Sequence, residues 1–318
     1  MRVMLAYDGS AGAEAARDLV ARLPWPRGTA ITVVTALEQR ADLLGAPGMA
    51  IAPLAADEAE GALLADLQNM VREAVDPLRA AGNQVDTRVV RGRPATAIVD
   101  EANALRPDLI VIGNRGHGPF ATILLGSVST EVVDHAPCPV LVARGSAIQR
   151  AVVGTDGSES AQRAIDVLCR WPIFRGLPTR VVAVCQATTA WTSTLGAAFS
   201  PAWVDVRDPA VDERRRQLDE ITDRAQGQLA GAGLQPSAEL REGDAAEQLI
   251  QAAAEDRADL IVVGSRGLST LPRLFLGSVA RKVLLHSGTS VLIIREPREH
   301  ARSTEQALAL SGMAILAI

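Results

Sequence analysis

Aromatic side chains are nearly missing from this chain, with Phe, Trp and Tyr making up 3% of its 318 residues. Any core must therefore be built from Val, Leu, Ile and Ala, and the 48% apolar fraction supplies them. Lysine is scarcer still: Lys282 is the only one, and arginine carries the rest of the positive charge. A formal net charge of −5 gives no reason to expect a nucleic-acid partner, which usually calls for a basic face or stripe. The three cysteines, Cys138, Cys169 and Cys185, are odd in number and lack metal-ligand spacing. They read as small buried residues in a reducing compartment. No apolar run reaches the length of a membrane span, and the opening MRVMLAYDGS has no signal-peptide pattern. A cytoplasmic protein with no transmembrane segment is expected. Its length suits two domains of about 150 residues each.

What the chain does contain, it contains twice. Residues 113–127 read GNRGHGPFATILLGS and residues 264–278 read GSRGLSTLPRLFLGS. Both copies have the form Gly-x2-Gly-x9-Gly-Ser. Each follows an aspartate-led apolar run, Asp108 with LIVI and Asp259 with LIVV, and precedes a helical pattern. Strand, glycine loop and helix N-terminus in that order make an anion-binding arrangement. Glycine lets backbone approach a ligand, and the helix start presents free N–H groups and the positive end of its dipole. A phosphate group suits such a site.

The rest of the chain repeats with it. Short apolar runs end at Asp8-Gly9-Ser10 and at Asp156-Gly157-Ser158, and Ala-rich amphipathic stretches follow at 11–23 and 159–170. Strand-like runs cover 30–37 and 180–185, then irregular segments 38–57 and 186–210. Long helical patterns at 58–81 and 211–231 lead to strands at 85–90 and 237–240. Further helices start at Gly92 and Gly243. After the glycine loops come helices 127–135 and 278–286 and closing strands 139–143 and 290–294. Each half thus reads β-α-β-α-β-α-β-α-β, which implies a parallel sheet with helices on both faces. The aspartates pair at an offset of 148 and the glycine motifs at 151, so this is a duplicated domain. The expected division is 1–146, 147–297 and a tail, 298–318. The tail opens with a capping-box pattern at Ser303–Gln306 and ends in a short apolar helix. It packs on its own domain, on a partner, or weakly on a membrane; the residues leave these open.

The paired Asp-Gly-Ser turns, the two Gly-x2-Gly-x9-Gly-Ser loops and the closing runs from Asp134 and His286 make the chain resemble a tandem universal stress protein. The likeness covers about 1–296. Intact glycine loops mark the ATP-binding members of that family. The resemblance implies two tandem Rossmann-like doubly wound domains, each a five-stranded parallel sheet of order 3-2-1-4-5. Ligands in such sheets lie beyond the strand C-termini, where the strand order reverses. Asp8 and the Gly113 loop would meet at one crevice, Asp156 and the Gly264 loop at the other.

By that resemblance the nucleotide is ATP or ADP, one per domain. Asp8 and Asp156 would accept from adenine or ribose; the alternative is that each caps the following helix. Ala36 and Gln186 would touch adenine through backbone at the end of the second strand. Gly113, Gly116, Gly126 and Ser127 would hold ribose and phosphates, as would Gly264, Gly267, Gly277 and Ser278. Val128, Ser129 and Val279 would add backbone or hydroxyl contacts. Arg115 and Arg266 either balance phosphate charge or stand solvated. With no P-loop lysine the loop is not a Walker site, and Mg²⁺ would be held through phosphate oxygens and water. His135 and His286 suit helix C-termini; His117 has Leu268 opposite it and is assigned no chemistry.

No catalytic residue is assigned. The expected function is an ATP-binding regulatory protein of the stress response, its nucleotide state coupled to oligomerisation or to an unidentified protein partner. The alternatives are a slow ATPase or phosphate-transferring enzyme and a scaffold with empty pockets. A homodimer is expected, with the two halves paired inside the chain as a pseudo-dimer through their closing strands, because an uncovered apolar edge strand invites aggregation.

Overall fold

Fully apolar strand runs have no polar face to give to water, so both faces of the sheet need helices. The computed structural model describes residues 1–38, 53–114, 125–186, 209–267 and 276–295. In the first half lie β1 (Arg2–Ala6), α1 (Ala11–Arg22), β2 (Ala30–Leu37), α2 (Pro53–Ala80), β3 (Gln84–Arg91), α3 (Pro94–Leu105), β4 (Leu109–Gly113), α4 (Ser127–His135) and β5 (Val140–Ala143). The second half repeats them as β6 (Ala151–Thr155), α5 (Glu159–Arg170), β7 (Pro178–Cys185), α6 (Pro209–Gly231), β8 (Gln235–Glu242), α7 (Ala245–Asp256), β9 (Leu260–Gly264), α8 (Ser278–His286) and β10 (Ser290–Ile294). The long helices start earlier than periodicity suggests, at Pro53 and Pro209. Proline suits a first helical turn, where its missing N–H would have no partner anyway. Most of the expected irregular segments, and the tail with its Ser303 capping box, fall outside the described residues.

Each half has the strand order 3-2-1-4-5, and every pairing inside a half is parallel. The halves do not stop at their edges. β5 and β10 pair antiparallel, Val142 opposite Val291 and Val140 opposite Ile293, giving one ten-stranded sheet β3-β2-β1-β4-β5-β10-β9-β6-β7-β8. The closing strands therefore cover each other, as their apolar character demands.

Two arginines fasten this junction reciprocally. Arg144, just after β5, donates to the carbonyls of Leu284 (2.5 Å) and Thr289 (3.1 Å) at the end of α8. Arg295, just after β10 and buried, donates to the carbonyl of Val133 near the end of α4. Each places a cation at the negative end of the opposite half's helix. Arg281 of α8 also pairs with Asp134 at 2.9 Å.

Strand alternation sorts the core into two layers. Val3, Leu5, Val33 and Val111 face α1 and α2, continuous with Val153, Val181 and Val262 facing α5 and α6. Met4, Ala6, Val34 and Ile110 face α3 and α4, continuous with Val152, Val182 and Ile261 over α7 and α8. Each layer runs across both halves, which the sequence pattern did not foretell. The aspartates that open β4 and β9 close the far end of the sheet. Asp108 accepts the N–H of Arg2 at 2.7 Å, and Asp259 those of Gln149 at 2.9 Å and Arg150 at 3.2 Å. Among the described residues, no helix is long and apolar enough to cross a membrane.

Candidate functional site

The strand order reverses between β1 and β4 and again between β6 and β9, opening a crevice at the strand C-termini. Asp8 and Asp156 stand at those ends, Asp8 exposed and Asp156 half-buried. Neither caps the next helix. The Oδ1 of Asp8 accepts the N–H of Ser10 at 3.0 Å, and that of Asp156 accepts the N–H of Ser158 at 2.9 Å. The serines are the caps: Ser10 Oγ accepts from Ala13 N–H and Ser158 Oγ from Ala161 N–H, both at 3.2 Å. Gly9 and Gly157, at φ +75° and +80°, make the turn between strand and cap.

Asp156 and the second glycine loop do come together. A Cβ built on Gly267 would lie 2.8 Å from Asp156 Oδ2. Only glycine lets loop and carboxylate approach this closely. The first glycine of each loop is required to be glycine by packing. A Cβ on Gly113 would sit 2.4 Å from the carbonyl carbon of Gly12 in α1. One on Gly264 would meet Ser160 Oγ at 2.5 Å and the Ser160 carbonyl carbon at 2.6 Å. These two glycines let the first helix of each half pack onto the fourth strand.

The far ends of the loops are tied back in the same way in both halves. Gly126 N–H donates to the Asn114 carbonyl at 2.7 Å, and Gly277 N–H to the Ser265 carbonyl at 2.8 Å. Gly126 and Gly277 are the N-caps of α4 and α8 and have no side chain with which to cap them. Ser127 and Ser278 are exposed at the first helical position, with Val128 and Val279 half-buried behind them. An uncapped helix start beside a glycine loop presents N–H donors and a hydroxyl to an anion. The Ser129 hydroxyl is engaged within the fold: it is buried and donates to the Gly113 carbonyl at 2.7 Å, locking α4 to β4.

Ala36 and Gln186 are not equivalent positions. The burial pattern and strand pairings superpose β2 on β7 so that Leu37 matches Cys185, each carbonyl accepting the N–H of Gly92 or Gly243. Ala36 then answers to Val184 and Gln186 to Glu38. Ala36 lies within β2, paired with Val90, while Gln186 is exposed just past β7. Arg115 and Gly116 lie outside the described residues, as does His117. Arg266 is described, and its backbone N–H donates to Ser160 Oγ at 3.2 Å.

Two residues at the second crevice escaped sequence reasoning. Ser160, in the first turn of α5, supplies that acceptor. Arg214 of α6 reaches the carbonyl oxygen of Asp156 at 3.4 Å. Superposing the two copies of the repeat residue by residue would have found the first, because Ser160 stands where the first half has Gly12. Among the cysteines, burial pushes the Cys138 thiol up to about 12, so it is inert near neutrality. Cys169 is only half-buried, its Sγ 3.6 Å from the Gln228 carbonyl.

The universal stress protein family model matches residues 1–144 and again residues 147–295. A universal stress protein of Thermus aquaticus is 36% identical over 143 residues, 45% of this chain and 97% of its own length. One from Mycobacterium tuberculosis is 28% identical over 242 residues, 74% of this chain and 75% of its own. The crystal structure of a universal stress protein from Archaeoglobus fulgidus shares the fold, with a TM-score of 0.63, 17% identity, and coverage of 92% of this chain and 98% of that one. Twice over, then, and along nearly its whole described length, the chain belongs to the universal stress protein family.

Proposed function

We propose that the chain is a nucleotide-binding regulatory protein of the stress response, holding one adenine nucleotide, ATP or ADP, in each half. The observation that carries the reading is the meeting of Asp156 and Gly267 at the switch point, beside the uncapped start of α8. Asp156 Oδ2 would accept from ribose or adenine. The N–H groups of Ser278 and Val279, with the Ser278 hydroxyl, would donate to phosphate. Asp8, Gly126, Ser127 and Val128 repeat the arrangement in the first half, with Gly116 and Arg115 completing the loop by sequence. Magnesium, when present, would be coordinated by phosphate oxygens and water, neutralising charge that no lysine is there to balance.

Turnover should be poor. Phosphoryl transfer needs a group that positions or activates the nucleophile at the terminal phosphate, and neither crevice has one assigned. The nucleotide state would instead be read by a partner protein or by assembly in the cytoplasm. A homodimer would have to use a surface other than β5 and β10, because those edges already pair within the chain. Extraction of purified protein by denaturation, with chromatography of the released small molecules, tests the proposal. About two adenine nucleotides per chain, or uptake of two on addition, supports it; none, even with excess ATP, refutes it. Phosphate release at roughly 1 s⁻¹ or faster, the low end of ordinary enzymes, would make the chain an enzyme.

A further inference from the structure

We infer that Arg214 gives the second crevice a charge-sensing contact at a position where the first half's sequence has leucine, so that the second site favours the more highly phosphorylated nucleotide. This deepens the nucleotide-binding proposal and rests on it. Arg214 is the first of three consecutive arginines near the start of α6. Its neighbours are engaged elsewhere: Arg215 pairs with Glu242 of β8, and Arg216 with Glu213 one turn back at 2.6 Å. Arg214 turns the other way, to the carbonyl of Asp156 at the end of β6. Among the described residues no carboxylate forms an ion pair with it. The 3.4 Å contact is long for a hydrogen bond and uses one of five guanidinium N–H donors.

The same Asp156 meets Gly267 through its carboxylate. A full positive charge from α6, a carboxylate from β6 and the glycine loop after β9 thus converge on one crevice. The first half differs at this point. Leu78 and Leu229 are fully buried counterparts, and Gly82 and Gly233 end the two helices at φ +83° and +84°. Carried back along the sequence, that register matches position 63 to Arg214, and the residue there is leucine, which has no charge. Guanidinium attraction to a phosphate chain grows with the chain's charge and is screened by salt. For a neutral nucleoside it should count for little.

Calorimetric titration of the full chain with ATP, ADP and adenosine, at low and high salt, decides the matter. Wild type should show two ATP sites differing about tenfold, the order expected of one charge-assisted hydrogen bond, and the difference should shrink in salt. Arg214→Leu, which installs the first half's residue, should merge the two ATP affinities and leave adenosine binding unchanged. Arg214→Lys should restore most of the gap. Two ATP sites that ignore Arg214→Leu would overturn the inference while leaving the nucleotide reading intact. So would an equal loss for ATP and adenosine, since Arg214 would then only brace the turn at Asp156. A wild type that takes up no ATP overturns both.

Discussion

The two crevices share one framework but fasten it with different side chains. β2 and β7 bury the same positions in the same order, and both glycine loops are closed by the same backbone bond. The hydroxyl that secures each loop has moved, however. In the first half it belongs to Ser129 of α4, which donates to the Gly113 carbonyl. In the second half position 280 is alanine, and Ser160 of α5 instead accepts the N–H of Arg266. Where Ser160 would fall in the first half there is Gly12, the residue against which Gly113 packs. The loop must be tied down, but the tie can come from either flanking helix. Apolar framework positions are constrained by packing on both sides and keep their type; polar ties are constrained only by geometry and can be exchanged.

The sharpest way to break the comparison is to remove one crevice at a time. Gly267→Val places a branched side chain against Asp156 Oδ2, and Gly116→Val is its counterpart by sequence in the first half. Each single variant is expected to lose about half the bound nucleotide and the double variant nearly all of it. Far-UV circular dichroism should remain that of wild type, because the atom Gly267 meets is the far end of an aspartate side chain. Full occupancy in the double variant would remove the crevices from the proposal.

A second pair of substitutions separates glycines that shape the fold from those that face the crevice. Gly113→Ala and Gly264→Ala push a methyl group into backbone of the first helix in each half, which cannot step aside as a side chain tip can. Overpacking of this kind costs about 1–3 kcal/mol, and urea unfolding should reveal it in both variants. Gly267→Ala should unfold close to wild type. If Gly113→Ala were as stable as Gly267→Ala, the close packing of α1 on β4 would not be what requires glycine there.

The fold was legible because its signals are local and doubled. Apolar runs bounded by Asp-Gly-Ser or by glycine loops announce buried parallel strands, and strand order followed from the family resemblance. The glycine motifs lie in the loops that follow β4 and β9, but for Gly113 and Gly264 the packing of the first helix is a reason for glycine that the motif did not show. Nothing within the motif reveals that a helix about 100 residues away presses on each of them. Arg214 and Ser160 were hidden for the same cause: each acts on a residue 58 or 106 positions away. Ala36 and Gln186 are 150 residues apart, whereas β2 superposes on β7 at an offset of 148 and α2 on α6 at 151, so the pairing fits neither register. The pairing of β5 with β10 was legible from their apolar edges, but its antiparallel register, which joins the core layers of the two halves, is not written in either strand's pattern.

The smallest expected effect tests a tie whose charges have traded places. In the first half Arg93 before α3 pairs with Glu131 of α4 at 3.5 Å; in the second, Asp244 before α7 pairs with Lys282 of α8 at 2.8 Å. Only Asp244 also caps its helix, accepting the N–H groups of Ala246 at 3.0 Å and Glu247 at 3.1 Å, whereas Arg93 makes no side-chain cap. The hydrogen bond from Lys282, followed by that from Glu247 N–H, holds the Asp244 carboxyl below the usual carboxylate range. A carboxyl lowered on folding stabilises above its unfolded pKa, and the contribution fades as pH falls through the folded value, so the loss belongs below about pH 4. At pH 7, Asp244→Ala removes cap and ion pair together and should cost about 1 kcal/mol. Asp244→Asn keeps a good capping side chain and loses only an exposed ion pair, for a cost of at most a few tenths of a kcal/mol. Thermal unfolding from pH 7 down to pH 3 should show the gap between wild type and Asp244→Asn closing as the wild-type carboxyl takes up its proton. An Asp244→Asn variant as unstable at pH 7 as Asp244→Ala would mean that the ion pair to α8, and not the cap, is what Asp244 contributes.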